Sequence, residues 1–74
     1  NAVEAIEILV NSDSKINNIP LKDLKIKKNL LIAYIVRNNV AIFPKGTDVI
    51  KEGDRVIIIT TESFFDDINN IIAE

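Results

Sequence analysis

The sequence predicts a small α+β domain of the order β-α-β-β-β-α, with a largely antiparallel sheet. Fifteen of the 74 residues are isoleucine, a β-branched residue that packs well on pleated surfaces. Four apolar segments of strand length are separated by turn-forming residues, and two further segments carry helix signals. This length allows one domain with one small core, so we expect residues 1–74 to fold as a single unit.

The first strand and the first helix are predicted on either side of a polar loop. Residues 3–10 (VEAIEILV) form the strand candidate, but Glu4 and Glu7 fall on opposite parities. Either the strand carries a bulge, or one glutamate lies at its frayed start. Residues 20–24 (PLKDL) predict a short helix with Pro20 in its first turn, where the missing N–H is harmless.

The strongest strand signal is 30–37 (LLIAYIVR), in which both alternating sets of side chains are apolar. Asn38 and Asn39 tolerate positive φ and predict a tight hairpin turn. The return strand is 40–43, which Pro44 closes. Strict alternation divides the side chains of segment 30–37 between the two faces of the sheet. These are Leu30, Ile32, Tyr34 and Val36 on one face, and Leu31, Ala33 and Ile35 on the other.

The last strand and the second helix complete the expected order. Residues 54–61 (DRVIIITT) follow two glycine turns and are apolar on both faces over 56–59. Ser63 is the expected N-cap of the helix, with Asp66 three residues later completing a capping box. The apolar stripe of this helix has helical spacing and consists of Phe64, Phe65, Ile68, Ile71 and Ile72.

Two strands that are apolar on both faces exceed what a 74-residue monomer with two helices needs. Either the helices and the curl of the sheet cover both faces, or one face meets a partner. We expect a partner, and therefore a homodimer. The chain begins at Asn1 without Met, so we also expect it to be a domain of a longer protein.

Composition argues against several function classes. The chain has no Cys and no His, so a hydrolase would need a Ser-Lys pair or paired carboxylates. Ser12, Ser14 and Ser63 all stand where turn or cap chemistry favours serine, so we expect no enzyme. Its net charge of −2 gives no electrostatic footprint for nucleic acid. The longest apolar run, 30–36, is far shorter than the roughly 20 residues that cross a bilayer.

Two charged groups have ordinary explanations. The carboxylates of Asp48, Glu52 and Asp54 surround a turn and could attract a hard cation, but acidic residues beside glycines usually form turns. We therefore expect no metal. A basic stretch of Lys22, Lys25, Lys27 and Lys28 could meet an anion, although lysines on a solvated face are common.

Residues 20–61 together resemble the TrkA C-terminal domain, also called the RCK C-terminal domain, of potassium-uptake regulatory subunits and related transporters. The family pattern is a PL-x-x-L helix, a strand ending in Ile-x-Arg, a hairpin to a proline, and two glycine turns before the last strand. The matching positions are Leu21, Leu24, Ile32, Arg37, Pro44, Gly46, Ile50, Gly53, Asp54 and Val56. The sequence departs at 38–39, where an Asp-Gly type turn is common, and at 47–48, where the usual order is Asp-Thr.

The resemblance implies a non-catalytic, cytoplasmic regulatory domain of a cation-transport system, most simply potassium uptake. Such domains form homodimers, are joined to a Rossmann domain or a membrane transporter subunit, and reach the membrane through that partner. The G-x-G-x-x-G fingerprint is absent, so no nicotinamide or ATP cofactor is expected here. Two alternatives remain open: a purely structural dimerisation module, and a regulatory domain of an anion or dicarboxylate transporter.

Some relatives bind cyclic di-AMP between two C-terminal domains, so a cyclic dinucleotide is the candidate effector. The resemblance places the candidate lining at Ile32, Arg37, Asn38, Asn39, Ile42 and Pro44. The fork of Arg37 suits phosphate. The alternative is that Arg37 pairs with Asp54 or Glu52 across the sheet.

Overall fold

The computed structural model describes residues 2–62 and 65–73, which form one sheet and two short helical turns. The strands follow the predicted order, and both helices are single turns of 3₁₀ helix. Strands β1 to β4 are Glu4–Leu9, Leu30–Arg37, Val40–Ile42 and Arg55–Thr60, and the two 3₁₀ helices are Leu21–Asp23 and Ile68–Ile71.

The four strands form one antiparallel sheet in the order β1-β4-β2-β3. β4 lies between β1 and β2, and the tight hairpin places β3 at the edge. The predicted α+β class and antiparallel sheet are thus confirmed, although the helical content is low.

A β-bulge in β2 determines which side chains share a face. Ile32 lies opposite Ile58 and Tyr34 lies opposite Ile57, so Ala33 is an extra residue on the β2 side. The alternation changes phase at this point, and the sequence-based assignment of faces was wrong beyond it. β1 pairs with β4 without a shift, so the predicted bulge is absent from this strand. Glu4 is its exposed first residue and pairs with Thr60.

One face of the sheet, called the covered face, packs against the connecting segments. Ile8, Ile35, Val56 and Ile58 contribute the buried apolar strand side chains of this face. The segments that cover them come from the loops and from the C-terminal turn. Their buried apolar residues are Val10, Ile16, Ile50, Phe65, Ile68 and Ile71.

The C-terminal segment reaches the core by a route that differs from the predicted helix. The expected cap Ser63 and the stripe residue Phe64 lie outside the described residues. Asp67 is extended, with φ −137° and ψ 137°, and it caps the 3₁₀ helix in a capping box with Asn70. The capping box predicted between Ser63 and Asp66 includes a residue outside the described part of the chain. Short polar side chains that bond nearby backbone groups compete with α-helix, which explains the short turn.

The other face of the sheet, called the open face, remains in solvent. Leu9 is 58% exposed, Leu31 62%, Ile59 37% and Phe43 73%. The register assigns eleven residues to this face. They are Ala5, Glu7, Leu9, Leu31, Tyr34, Val36, Ala41, Phe43, Arg55, Ile57 and Ile59.

Candidate functional site

The candidate site begins at the turn between β2 and β3. Asn38 and Asn39 have φ values of 52° and 63°, the left-handed pair that a two-residue type I′ hairpin requires. Both side chains are exposed. Asparagine tolerates this conformation better than other non-glycine residues, so the Asn-Asn pair can form the turn with both side-chain amides exposed.

Arg37, which precedes the turn, makes a bidentate ion pair with Asp54. Its Nε lies 2.9 Å from Asp54 Oδ1, and its Nη2 lies 2.7 Å from Asp54 Oδ2. Nη2 also donates to the carbonyl oxygen of Val49 at 3.0 Å. The pairing alternative expected for Arg37 is therefore present, with Asp54 as the partner, and the ion pair ties the hairpin to the 49–54 loop.

The local backbone conformation places Asp54 opposite Arg37. Gly53, which directly precedes Asp54, has φ 87°, a backbone conformation that residues with a side chain rarely adopt. Val10 exchanges backbone bonds with this loop on both sides, donating to the Asp54 carbonyl and accepting from the Gly53 N–H, each at 2.9 Å. The Gly-Asp turn is therefore held against the end of β1.

Asp54 is almost completely buried, at 1% exposure, and is charged. Burial pushes the pKa of Asp54 up. The hydrogen bonds from Arg37 and from the Lys51 N–H, together with the positive charge of Arg37, outweigh burial and leave this pKa below its ordinary value. The hydrogen bonds that Arg37 donates to Asp54 raise the pKa of Arg37, against the opposing effect of burial.

Arg37 retains binding capacity on its other edge. A guanidinium has five N–H donors, and the bonds described above use the single donor of Nε and both donors of Nη2. Within residues 2–62 and 65–73, Nη1 makes no hydrogen bond, and the side chain is 28% exposed. The arginine can therefore hold Asp54 and still offer two donors to an anion.

The remaining candidate residues lie further along the hairpin. Ile32 and Ile42 are half-buried on the covered face, where both pack against the core. Ile32 is five residues from Arg37 along β2, roughly 16 Å at 3.3 Å per residue. Pro44 follows the end of β3, away from the turn. The structure thus brings Arg37 and the two asparagines together and places Ile42 on the same face, next to the Arg37–Val40 pair. Ile32 and Pro44 lie further from the arginine.

Two of the other charged candidates, Asp48 and Lys27, have local partners. Asp48 Oδ2 accepts a 2.7 Å hydrogen bond from the Lys45 N–H and closes a turn. Lys27 Nζ lies 3.1 Å from Glu62 Oε1. In the part of the chain that the structure describes, no group of three or more acidic residues could hold a metal ion. No helix within this part is long and apolar enough to cross a membrane.

Sequence reasoning missed the composition of the open face. The doubly apolar β2 pointed to a partner, but strict alternation placed Tyr34 and Val36 with the wrong neighbours. A register in which Ala33 is extra was the missing information, and a small residue inside an apolar strand is only a weak signal for it.

The TrkA-C domain model matches residues 5–73. The chain belongs to the TrkA-C domain family. The match extends from β1 to the C-terminal turn and includes the hairpin and the Gly-Asp turn, so the resemblance noted from the sequence is confirmed.

Archaeal and structural relatives agree with this family. The chain is 38% identical over 60 residues to "Trk system potassium uptake protein TrkA homolog 2" of Methanosarcina mazei, and 40% identical over 58 residues to "Trk system potassium uptake protein TrkA homolog" of Archaeoglobus fulgidus. These alignments cover 81% and 78% of this TrkA-C domain but only 13% of each relative.

A solved structure described as "Structure of RCK domain with cda" has the same fold. It aligns with a TM-score of 0.64 and 32% sequence identity, covering 78% of this chain and 80% of that chain.

Proposed function

We propose that this TrkA-C domain is a non-catalytic, ligand-sensing and dimer-forming regulatory domain of a potassium-uptake system. The observation that carries the proposal is the family match over residues 5–73, together with relatives named as potassium uptake proteins. Because the chain spans 13% of the length of those relatives, the rest of the regulated protein is part of the proposal. That protein supplies a Rossmann domain or a membrane subunit and holds this domain on the cytoplasmic side of the membrane.

The open face supports homodimerisation. Burying apolar surface contributes about 25 cal/mol per Å², and this face leaves four large apolar side chains at 37–73% exposure. Contiguous apolar patches of this kind mark interaction sites on soluble proteins. We expect a dimer at micromolar concentration in sedimentation velocity. A folded monomer over the whole micromolar range would contradict this part of the proposal.

The hairpin supports sensing of a phosphate-bearing ligand such as cyclic di-AMP. Arg37 Nη1 offers two charge-assisted donors to a phosphate, and Asn38 and Asn39 add amide donors without adding charge. The apolar candidates Ile32, Ile42 and Pro44 would contact the bases. Because these groups extend along the hairpin, the ligand must be elongated, as a dinucleotide is.

Calorimetry with cyclic di-AMP tests this site without unfolding the domain. The double change Asn38→Gly and Asn39→Gly removes both amides but keeps the positive φ values that the turn needs. We expect saturable binding by the unchanged domain and at least fivefold weaker binding by the double variant. Lys28→Ala, an exposed change before β2, is the control and should bind normally.

A purely structural dimerisation module is the second candidate, and the Arg37–Asp54 ion pair is the observation that favours it. The pair gives Arg37 a complete structural role without any ligand. Under this alternative the dimer forms but the unchanged domain gives no binding heat with cyclic di-AMP. Equal affinity of the double variant and the unchanged domain would instead show that the ligand binds elsewhere.

A further inference from the structure

A cavity of about 520 Å³ lies on the covered side of the sheet, away from the hairpin. Its walls come from three segments, which are the loop after β1, the end of the first 3₁₀ helix with the two residues that follow it, and the C-terminal turn. None of the residues that line it belongs to the candidate site at the hairpin. Cavities of this size hold small organic ligands in other proteins.

Hydrogen bonds hold the three walls of the cavity together. The Lys15 N–H donates to Asn69 Oδ1 at 3.0 Å and joins the loop to the C-terminal turn. The Ala73 N–H donates to the Lys25 carbonyl oxygen at 2.7 Å and joins the end of the chain to the segment after the first 3₁₀ helix. The cavity is therefore a built part of the fold.

The floor of the cavity is apolar. Ile16 is 3% exposed and belongs to the core, whereas Leu24 and Ile72 are half-buried and pack against that core. All three line the cavity. Covering apolar surface contributes about 25 cal/mol per Å², so the floor favours a ligand with an apolar group.

The rim of the cavity carries charges of both signs. Lys15, Asp23 and Lys25 line it and are exposed residues. Within residues 2–62 and 65–73, neither lysine forms an ion pair with Asp23. Opposite charges that line one cavity without pairing with each other can each bind a different end of the same ligand.

Asn69 adds a neutral donor to this rim. Its Oδ1 accepts from the Lys15 N–H, and its own backbone N–H donates to Asp67 Oδ1 at 2.8 Å. Its Nδ2 makes no hydrogen bond to the part of the chain that the structure describes. This amide group can therefore donate to a carboxylate in the cavity.

We propose that this cavity binds an α-amino acid with an apolar side chain. The two lysines and Asn69 Nδ2 hold the carboxylate of the ligand, Asp23 accepts its ammonium group, and the apolar floor contacts its side chain. The inference goes beyond the proposed function, because this second ligand site requires neither the hairpin nor a dimer.

The arrangement of charges favours this class over ligands with one charge. A simple carboxylate would place a like charge beside Asp23, and a simple amine would leave both lysines without a partner. Asp23 and Lys25 are two residues apart, so their Cα atoms are separated by at most about 7 Å. An α-amino acid carries its two charges on neighbouring carbon atoms and suits this short separation.

Calorimetry with L-phenylalanine and two truncated analogues tests the charge pattern. Hydrocinnamate lacks the ammonium group and phenethylamine lacks the carboxylate, while both keep the aromatic ring. We expect saturable binding of phenylalanine and about fivefold or greater weakening for each analogue, because each loses one set of charge-assisted hydrogen bonds. Glycine keeps both charges but lacks the side chain, so it should also bind more weakly than phenylalanine.

Two exposed substitutions assign the charges to residues. Asp23→Asn should weaken phenylalanine about fivefold but should not weaken hydrocinnamate. Lys25→Gln should weaken phenylalanine and hydrocinnamate alike but should not weaken phenethylamine. The matched controls are Glu52→Gln and Lys28→Gln, which change exposed residues outside this cavity and should bind phenylalanine normally. Circular dichroism verifies that all four variants fold.

The other outcomes would overturn the inference. Hydrocinnamate binding as tightly as phenylalanine would show that the ligand is a carboxylate and not a zwitterion. Binding of phenylalanine that neither Asp23→Asn nor Lys25→Gln changes would place the ligand elsewhere on the domain. Absence of saturable binding by both phenylalanine and leucine would remove the site, and none of these results would affect dimerisation or binding of cyclic di-AMP.

Discussion

At the scale of single residues, Arg37 and Asp54 are unequal partners in one ion pair. Asp54 is 1% exposed, whereas the Arg37 side chain is 28% exposed. Removing the arginine leaves a carboxylate in the interior, where an unpaired charge is costly. Removing the carboxylate leaves an arginine that can still reach water. The two halves of the pair therefore contribute differently to stability.

We expect Arg37→Ala to lower the free energy of unfolding by about 3 kcal/mol or more, because it leaves the buried Asp54 charge unpaired. Asp54→Asn should cost about 1–2 kcal/mol, since it preserves shape and one acceptor. Urea denaturation of both variants against the unchanged domain measures the difference. Equal losses would show that Asp54 protonates or rehydrates when Arg37 is removed.

Asp54 also makes the stability of the folded domain depend on pH in the acid range. The pKa of Asp54 is lowered in the folded domain, so the charged form is favoured by folding. Its stabilising contribution is complete above the unfolded pKa of about 3.9 and is lost as pH falls through the folded pKa.

We expect the stability difference between the unchanged domain and Asp54→Asn to shrink below about pH 4. Denaturation midpoints from pH 7 to pH 2 measure it. A difference that stays constant to pH 2 would contradict the ion-pair explanation.

At the scale of elements, the C-terminal segment is part of the core although it is not an α-helix. Ile68 and Ile71 are 2% and 0% exposed, and Phe65 is 7% exposed. The segment is also fastened by backbone bonds from Lys27 N to Ile71 O at 2.8 Å and from Ala73 N to Lys25 O at 2.7 Å. It therefore closes the covered face.

Truncation after Glu62 should unfold the domain. The three buried side chains contribute about 1.5–3 kcal/mol each, and their sum is comparable with the whole stability of a small domain. Thermal melting followed by circular dichroism gives the answer, with removal of Glu74 alone as the control. A cooperative melt of the truncated chain near the original temperature would contradict this docking.

The positions of the strands could be predicted from the sequence. The type of helix, and the face of the sheet on which each β2 side chain lies, could not. The segment 30–37 is apolar enough, and the Asn38–Asn39 turn local enough, to predict the hairpin correctly. The stripe of Phe65, Ile68 and Ile71 identified buried residues but not the 3₁₀ conformation. The structure shows a single turn that Asp67 and Asn70 cap and that ends at the extended residue Ile72, and apolar spacing alone does not reveal where a helix ends.

At the scale of the whole molecule, some parts of the candidate site could be predicted from the sequence, whereas others depend on contacts between distant residues. Arg37 could be selected from the sequence because it ends an apolar strand at the hairpin and its planar fork suits phosphate. Its partner Asp54 was only one of two candidates, because the contact joins residues 17 apart with β3 and a loop between them. From the sequence, the open face could be anticipated only as an excess of apolar residues. Which residues lie on it depends on the β2–β4 register.

A dimer makes the melting temperature depend on protein concentration, because dissociation accompanies unfolding. We expect the midpoint of the unchanged domain to rise by several degrees between about 5 and 500 μM, and the midpoint of Leu31→Asp to stay constant. Differential scanning calorimetry at both concentrations measures this. A concentration-independent midpoint for the unchanged domain would indicate a monomeric unfolding unit.

The bulge in β2 makes one residue of that strand dispensable. Because Ile32 and Tyr34 lie opposite the consecutive residues Ile58 and Ile57, excision of Ala33 leaves every other β2 side chain on its present face. Excision of Val36 instead inverts the end of the strand and turns Arg37 away from Asp54. We therefore expect the chain shortened at position 33 to melt cooperatively, and the chain shortened at position 36 to lose its cooperative transition.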